Sequence, residues 1–268
     1  MPLAVCATPI GNLEDVTLRV LRELAEAELV LCEDTRRTRI LLDRHGIAAR
    51  LVSYHEHNEA ARVGEIVPKL LAGVRVALVS DAGLPGVNDP GARLIAAALE
   101  AGVPVSVLPG ASAVETALVA SGFADERYQF LGYLPRGASA LEAVWEELGR
   151  WPWPAVAFES PRRLPATLSS LAEALPVRPV AVCRELTKQF EEVVRGAAAD
   201  VALRFSEPPK GEITLVIDGA AVESGTDEGP AVEAVAELVA AGVPRRQAAD
   251  LVARLTGIRR NTLYRGSL

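Results

Sequence analysis

Apolar residues in this chain fall in short blocks, each closed by a cluster of polar, glycine or proline residues. Val76, Ala77, Leu78 and Val79 form one such block and predict a strand buried on both faces, as in a parallel sheet covered by helices. The stretch that follows, SDAGLPGVNDPGAR, carries Gly83, Pro85, Gly86, Pro90 and Gly91. It sustains neither a ladder nor a helix, so the backbone turns in the open at the strand's carboxyl end. In open α/β sheets that end is where ligands bind. A surface loop with ordinary turn chemistry is the competing reading.

The same punctuation recurs. Residues 3–7 read as a strand, residues 8–13 as a loop, and a helix capped by Asp15 or Thr17 runs to about Glu26, with Leu18, Leu21 and Leu24 on a helical period. Further strands are predicted at 29–32, 51–54 and 105–108, with helices between them and a last one ending at Ser121. This alternation of strand and helix predicts a parallel sheet. After a break at 122–127 a second series follows, with strands at 129–133, 155–158, 180–183 and 212–217 and helices at 139–148 and after Pro161. Residues 220–229 are small and polar without apolar period, the composition of a linker. Residues 232–241, 246–255 and 258–264 read as three short helices that resemble a helix-turn-helix, with Gly242 at the turn. The fold class is α/β: one domain at 1–121, a second at 122–219 with a cleft between them, a linker at 220–229 and an all-α tail at 230–268.

At 268 residues, with 50% hydrophobic and 24% charged residues, the chain is globular rather than disordered. No apolar run reaches the roughly 20 residues of a membrane span, and the N-terminus lacks a basic region followed by an apolar one. A cytoplasmic protein without a membrane partner is expected. Cys6, Cys32 and Cys183 agree, being odd in number and set in apolar blocks where cysteine acts as a small hydrophobe. The net charge of -7 argues against indiscriminate nucleic-acid binding, yet from residue 231 onward six arginines face three acids. A basic tail on an acidic body suits a nucleic-acid contact at one end, with Arg245, Arg246, Arg259 and Arg260 as its candidates.

Neither a G-x-x-x-x-G-K-[ST] loop nor a G-x-G-x-x-G after a strand occurs, which argues against a phosphate cradle or dinucleotide fingerprint. The loops instead carry Asp81 and Ser112 among small residues and suit a neutral or cationic ligand approached closely by backbone. His55, Glu56, His57 and Glu59 match no zinc spacing, so no metal is expected. Three polar clusters follow strands: Glu33-Asp34-Thr35-Arg36, Glu159 with Arg162 and Arg163, and Arg184-Glu185-Leu186-Thr187-Lys188. Each reads either as an ion-pair or helix-end arrangement or as part of a site.

ATPIGNLEDVTLR, CEDTRRT, SYHEHNE, ALVSDAGLPGVNDPG, LPGASA, FESPRRL and RELTKQFEE, in this order, resemble the ribosomal RNA small subunit methyltransferase I family of the tetrapyrrole methylase superfamily, the class III methyltransferases. The resemblance covers residues 3 to about 217, and the arginine-rich tail resembles that family's helix-turn-helix. It implies two tandem α/β domains with S-adenosylmethionine in the cleft and a homodimer. It also implies methyl transfer to a ribose 2′-hydroxyl of a cytidine in the decoding region of 16S rRNA, on free rRNA or the small ribosomal subunit. By motif, Ile10 and Gly11 match the first cofactor loop, Asp81, Gly83 and Leu84 the second, Ser112 and Ala113 the third, and Thr214 the point where the last strand approaches the adenosine. Leu84 stands where Thr is expected and Asn88 where Ser is expected. A ribose hydroxyl needs a base or a charge that stabilises the alkoxide. Glu33, Asp34, His55, Glu185 and Lys188 are the unranked candidates. Two other readings stand beside this one. A methylase of a small tetrapyrrole-like molecule would have little use for the tail, and a ligand-sensing regulator would read DNA with it.

Overall fold

A computed structural model describes residues 2–220 and 228–268. The expected linker lies largely in 221–227, outside the described residues. The first half runs β1 (Leu3–Cys6), α1 (Leu18–Glu26), β2 (Leu29–Cys32), α2 (Thr35–Arg44), β3 (Leu51–Ser53), α3 (Glu59–Leu71), β4 (Val76–Leu78), α4 (Ala92–Glu100), β5 (Val105–Leu108) and α5 (Ala113–Ser121). Its five strands are all parallel in the order β3-β2-β4-β1-β5. β1, β2 and β4 are buried along their whole lengths, as their unbroken apolar runs require of strands covered on both faces. Leu3, Val5, Leu31 and Leu78 pack under α3 and α4, while Ala4, Val30 and Ala77 pack with Val20, Leu24 and Leu42 on the other face. Of the two caps predicted for α1, Thr17 is the one used: its hydroxyl accepts the Val20 N–H at 3.2 Å.

The second half runs β6 (Gln129–Tyr133), α6 (Ala138–Arg150), β7 (Ala155–Glu159), α7 (Leu164–Ala174), β8 (Pro179–Arg184), β9 (Glu192–Ala197), α8 (Ala198–Arg204) and β10 (Ile213–Ile217). Strand order is β6-β7-β10-β8-β9; β6 and β7 are parallel, and the other pairs are antiparallel. β9 and α8 have no counterpart in the sequence reading. β9 is an edge strand with one buried residue, so its sequence shows no clean alternation. α5 follows β5 in the chain, but its Val114, Ala117 and Leu118 pack on Val156, Ala181 and Val216 of the second sheet. It thereby fastens the two halves together.

α9 (Glu228–Ala240), α10 (Arg245–Thr256) and α11 (Arg260–Gly266) form a small cluster of their own around Val235, Ala248, Val252 and Leu263. Gly257 ends α10 at φ 74°, a left-handed position that glycine adopts without penalty. The cluster is docked on the second half. Asn261 donates to Asp125 at 2.9 Å, Arg259 to the Pro152 carbonyl at 2.9 Å and Arg265 to the Gly122 carbonyl at 3.1 Å.

Candidate active site

The loops at the carboxyl ends of β1, β2, β4 and β5 face β6, β7 and the start of β10 across a cavity of about 1020 Å³. Two of these loops are zipped together: Thr8 and Gly83 exchange backbone hydrogen bonds of 2.8 and 3.1 Å, with Gly83 at φ 75°. The Thr8 hydroxyl adds a bond of 3.1 Å to the Ser80 carbonyl. The loop after β5 approaches so closely that a Cβ at Gly110 would lie 2.8 Å from the Cβ of Ala7. Glycine is required there by space.

Of the residues matched to cofactor loops, Ile10, Asp81, Gly83, Leu84, Ser112, Ala113 and Thr214 all line this cavity. Gly11 lines a smaller adjoining space of about 260 Å³, shared with Arg37, Lys188 and Glu212. Asp81 is fixed by the Asp34 N–H at 3.0 Å and by Arg37 Nε at 3.5 Å. The Ser112 hydroxyl is taken up by Glu115, which also accepts from the Tyr128 hydroxyl at 2.6 Å.

The five candidates for proton transfer separate. Glu33 alone of them lines the large cavity, where burial, and then the charge of Asp81, raises its carboxyl above the ordinary range. Asp34 caps α2 and binds Arg36, whose hydrogen bonds hold its carboxyl down at about 2, the wrong direction for a base. His55 is held by Asn58 through a contact of 3.1 Å at Nε2 and a backbone bond of 2.9 Å, and it does not line the cavity. Glu185 accepts from Lys188 Nζ at 2.8 Å and from the Glu212 N–H at 2.9 Å, and that pairing lowers its pKa. For Lys188, burial acts to lower the pKa, but hydrogen bonds to Glu185 and Glu212 outweigh it and leave the ammonium above its ordinary value. Lys188 is therefore a fixed cation, suited to stabilising negative charge. The Glu159 cluster resolves as an ion-pair network: Glu159 accepts from Thr167 and the Ser160 N–H, both at 2.6 Å, and from Arg163 at 3.3 Å.

Among the residues of the cavity wall that sequence reasoning passed over are Asp89 and Tyr133. Asp89 lines it beside Glu33; burial and the Glu33 charge push its carboxyl up to about 6, against an opposing hydrogen bond from Ser80. Its setting in Asn88-Asp89-Pro90 reads as turn chemistry, which hides it. Tyr133 lines the opposite wall from a strand end, where its only signal is the preceding Gly132 inside a strand pattern. The departure at Asn88 also has a local reason. Asn88 sits at φ 57°, a left-handed conformation that Asn tolerates well, and its carboxamide packs against Gly132.

Among the tail arginines, Arg246 is exposed, Arg245 reaches the Ser267 hydroxyl at 3.4 Å, and Arg259 and Arg260 are engaged within the chain. Arg260 pairs with Glu126 and, at 3.3 Å, with Asp250. Among the described residues, no helix is long and apolar enough to cross a membrane.

Two five-stranded sheets set their loops around one acid-lined cleft, with a three-helix cluster docked on the second, and define an α/β protein whose ligand site lies between its sheets. A sequence profile of the tetrapyrrole (corrin/porphyrin) methylases matches residues 2–202, and one of the RsmI C-terminal HTH domain matches 226–266. The chain is 44% identical over 270 residues to a ribosomal RNA small subunit methyltransferase I of Mesorhizobium japonicum, covering 98% of this chain and 90% of that one. It is 40% identical to a protein of the same name from Halalkalibacterium halodurans, covering 98% and 93%. Among solved structures, the methyltransferase CobJ is similar at a TM-score of 0.63 and 21% identity, covering 82% of this chain and 94% of that one. A uroporphyrin-III C-methyl transferase of Thermus thermophilus, complexed with S-adenyl homocysteine, is similar at 0.55 and 20% identity, covering 81% and 96%. The chain belongs to the tetrapyrrole methylase family, in its ribosomal RNA small subunit methyltransferase I branch.

Proposed function

We propose that this protein moves the methyl group of S-adenosylmethionine onto the ribose 2′-hydroxyl of a cytidine in the decoding region of 16S rRNA, as a cytoplasmic homodimer acting on the small ribosomal subunit. The observation that carries the reading is a cleft of about 1020 Å³ with the carboxylates of Glu33, Asp81 and Asp89 on its wall. The acid lining fits a cationic cofactor, and the close approach of the loops at Gly110 fits a ligand gripped by backbone. Ile10, Gly11, Asp81, Gly83, Leu84, Ser112, Ala113 and Thr214 would hold it. When bound, S-adenosylmethionine supplies a methyl group already activated by sulfonium, which leaves the protein to position the reactants and exclude water.

The protein's own contribution is the proton. Asp89 and Glu33 share the cavity; the Glu33 charge raises the Asp89 carboxyl, while burial and the Asp81 charge raise that of Glu33, and one of the two accepts the hydroxyl proton. Asp89, at about 6, is the better matched to neutral pH and takes the base role. Lys188, held by Glu185 and Glu212, offers a fixed positive charge in the adjoining space. Exposed Arg246, on the helical tail, would contact RNA phosphates.

The test is transfer of radiolabelled methyl to small subunits and to free rRNA lacking the modification, followed by mapping of the label. Label on a ribose 2′-oxygen of a cytidine is expected. Cofactor binding without label on RNA would move the reading to a small-molecule substrate.

A further inference from the structure

We propose that Tyr133 is the stacking platform for the target nucleobase, turned out of the RNA into the cleft; this rests on reading the cleft as a site of RNA ribose methylation. The backbone of β6 supplies the first argument. Gln129 pairs with Ala155 and Phe130 with Val156, but Tyr133 then pairs with Phe158, where unbroken pairing would place Gly132. β6 therefore carries one extra residue, a bulge, and Gly132 at φ 66° supplies its left-handed turn. Without the slip, alternation would put Tyr133 on the face of Leu131, which packs into the core beneath α6 and α7. With it, Tyr133 joins the face of Phe130 and Phe158, the face that lines the cavity.

Bracing and exposure supply the rest. The Asn88 carboxamide, from the loop after β4, packs on Gly132 so tightly that a Cβ there would lie 2.9 Å from Nδ2. The bulge is thus held from across the cleft. Tyr133 remains 64% exposed, and its ring meets Phe158 at a 62° angle and 5.6 Å, an edge-to-face contact rather than a parallel stack. Its hydroxyl has no hydrogen-bond partner among the described residues, in contrast to Tyr128, which binds Glu115. A buried structural tyrosine would show neither property. An aromatic ring held rigidly in a solvent-open cleft is what an unpaired base stacks on, and every base offers a π-face. The ribose can reach Asp89 and Glu33 inside the cleft only if its nucleotide leaves the RNA stack.

The test uses the full chain with Tyr133→Ala, Tyr133→Leu and Tyr133→Phe, each checked by thermal melting and by calorimetric titration of S-adenosylmethionine. Substrate is small subunits lacking the ribose methyl group. Ala and Leu variants are expected to lose roughly five- to a hundredfold in kcat/KM for the subunits, with cofactor Kd unchanged and the Phe variant near wild type. Full activity of the Leu variant would show that the residue only fills space, and would overturn the proposal. A weakened cofactor Kd in the Ala variant would also overturn it, by placing the ring on the cofactor. If the wild-type protein binds cofactor but labels no RNA, the functional reading itself fails, and the proposal with it.

Discussion

Asp89→Asn preserves the shape of the side chain while removing one titratable group from the cavity wall. Burial, reinforced by Glu33, pushes the Asp89 carboxyl from its ordinary 3.8 to about 6. At about 1.36 kcal/mol per unit, that rise corresponds to about 3 kcal/mol. The sign follows from the direction of the shift. A folded-state pKa above the unfolded value means that the protonated form favours folding. This stabilisation is fully present below pH 3.8 and is lost as pH rises through about 6. The wild-type protein forgoes about 3 kcal/mol by pH 8 and roughly half of that by pH 5, whereas the Asn variant forgoes none. At roughly 2–4 °C per kcal/mol for a chain of this size, the variant should melt several degrees higher than wild type at pH 8, and the gain should shrink at pH 5. Methyl transfer should fall by about a hundredfold or more, because the proton acceptor is gone. The wild-type kcat/KM should rise as pH passes through about 6. Scanning calorimetry at both pH values, paired with single-turnover transfer assays, checks all of this. An equal melting gain at pH 5 and pH 8 would mean that the carboxyl is well solvated, and undiminished transfer by the variant would remove Asp89 from the mechanism.

Gly110→Ala places a Cβ 2.8 Å from that of Ala7, with backbone on both sides, so cofactor Kd should rise by about tenfold or more in calorimetric titration. An unchanged Kd would mean that these loops do not form the cradle. Lys188→Ala should leave cofactor Kd within about threefold while cutting turnover by about tenfold or more, and normal turnover would refute its electrostatic role. Arg246→Glu should lower rRNA affinity and the salt slope by about one phosphate contact, whereas Arg259→Ala, which breaks a bond to Pro152, should lower the melting temperature with little change in slope. All three cysteines are buried and their thiols are raised, Cys6 and Cys183 to about 12, so a thiol reagent at pH 8 should label none of them before unfolding.

The parallel sheet was legible because a strand buried on both faces must be apolar throughout, and β1, β2 and β4 are. The glycine- and proline-bearing loops at their carboxyl ends were legible for the converse reason, since nothing regular can be built from them. β9 was not legible, because an edge strand with a single buried residue carries no periodic signal. The antiparallel insertion of β10 between β7 and β8 depends on long-range pairing that no local pattern encodes.

The site divides along the same physical line. Loop residues next to strands were found because adjacency along the chain guarantees adjacency in space, and Asp81, Gly83 and Ser112 reach the cavity in that way. The rank of the acids was hidden, since all of them look alike in sequence. Only the fold shows that Asp34 is spent on Arg36, that Glu185 is spent on Lys188, and that Asp89 and Glu33 line the same half-buried cavity wall. Tyr133 was hidden more deeply. Its direction depends on a one-residue slip against β7, and that slip is fixed by Asn88, 44 positions before Gly132 in the chain. The same Asn88 appeared in the sequence as a mere departure from the expected Ser. In the fold, a residue able to hold a left-handed backbone at φ 57° is what lets its carboxamide reach the bulge. A departure from a motif on one side of the cleft is therefore coupled to the direction of a side chain on the other, and neither is interpretable alone.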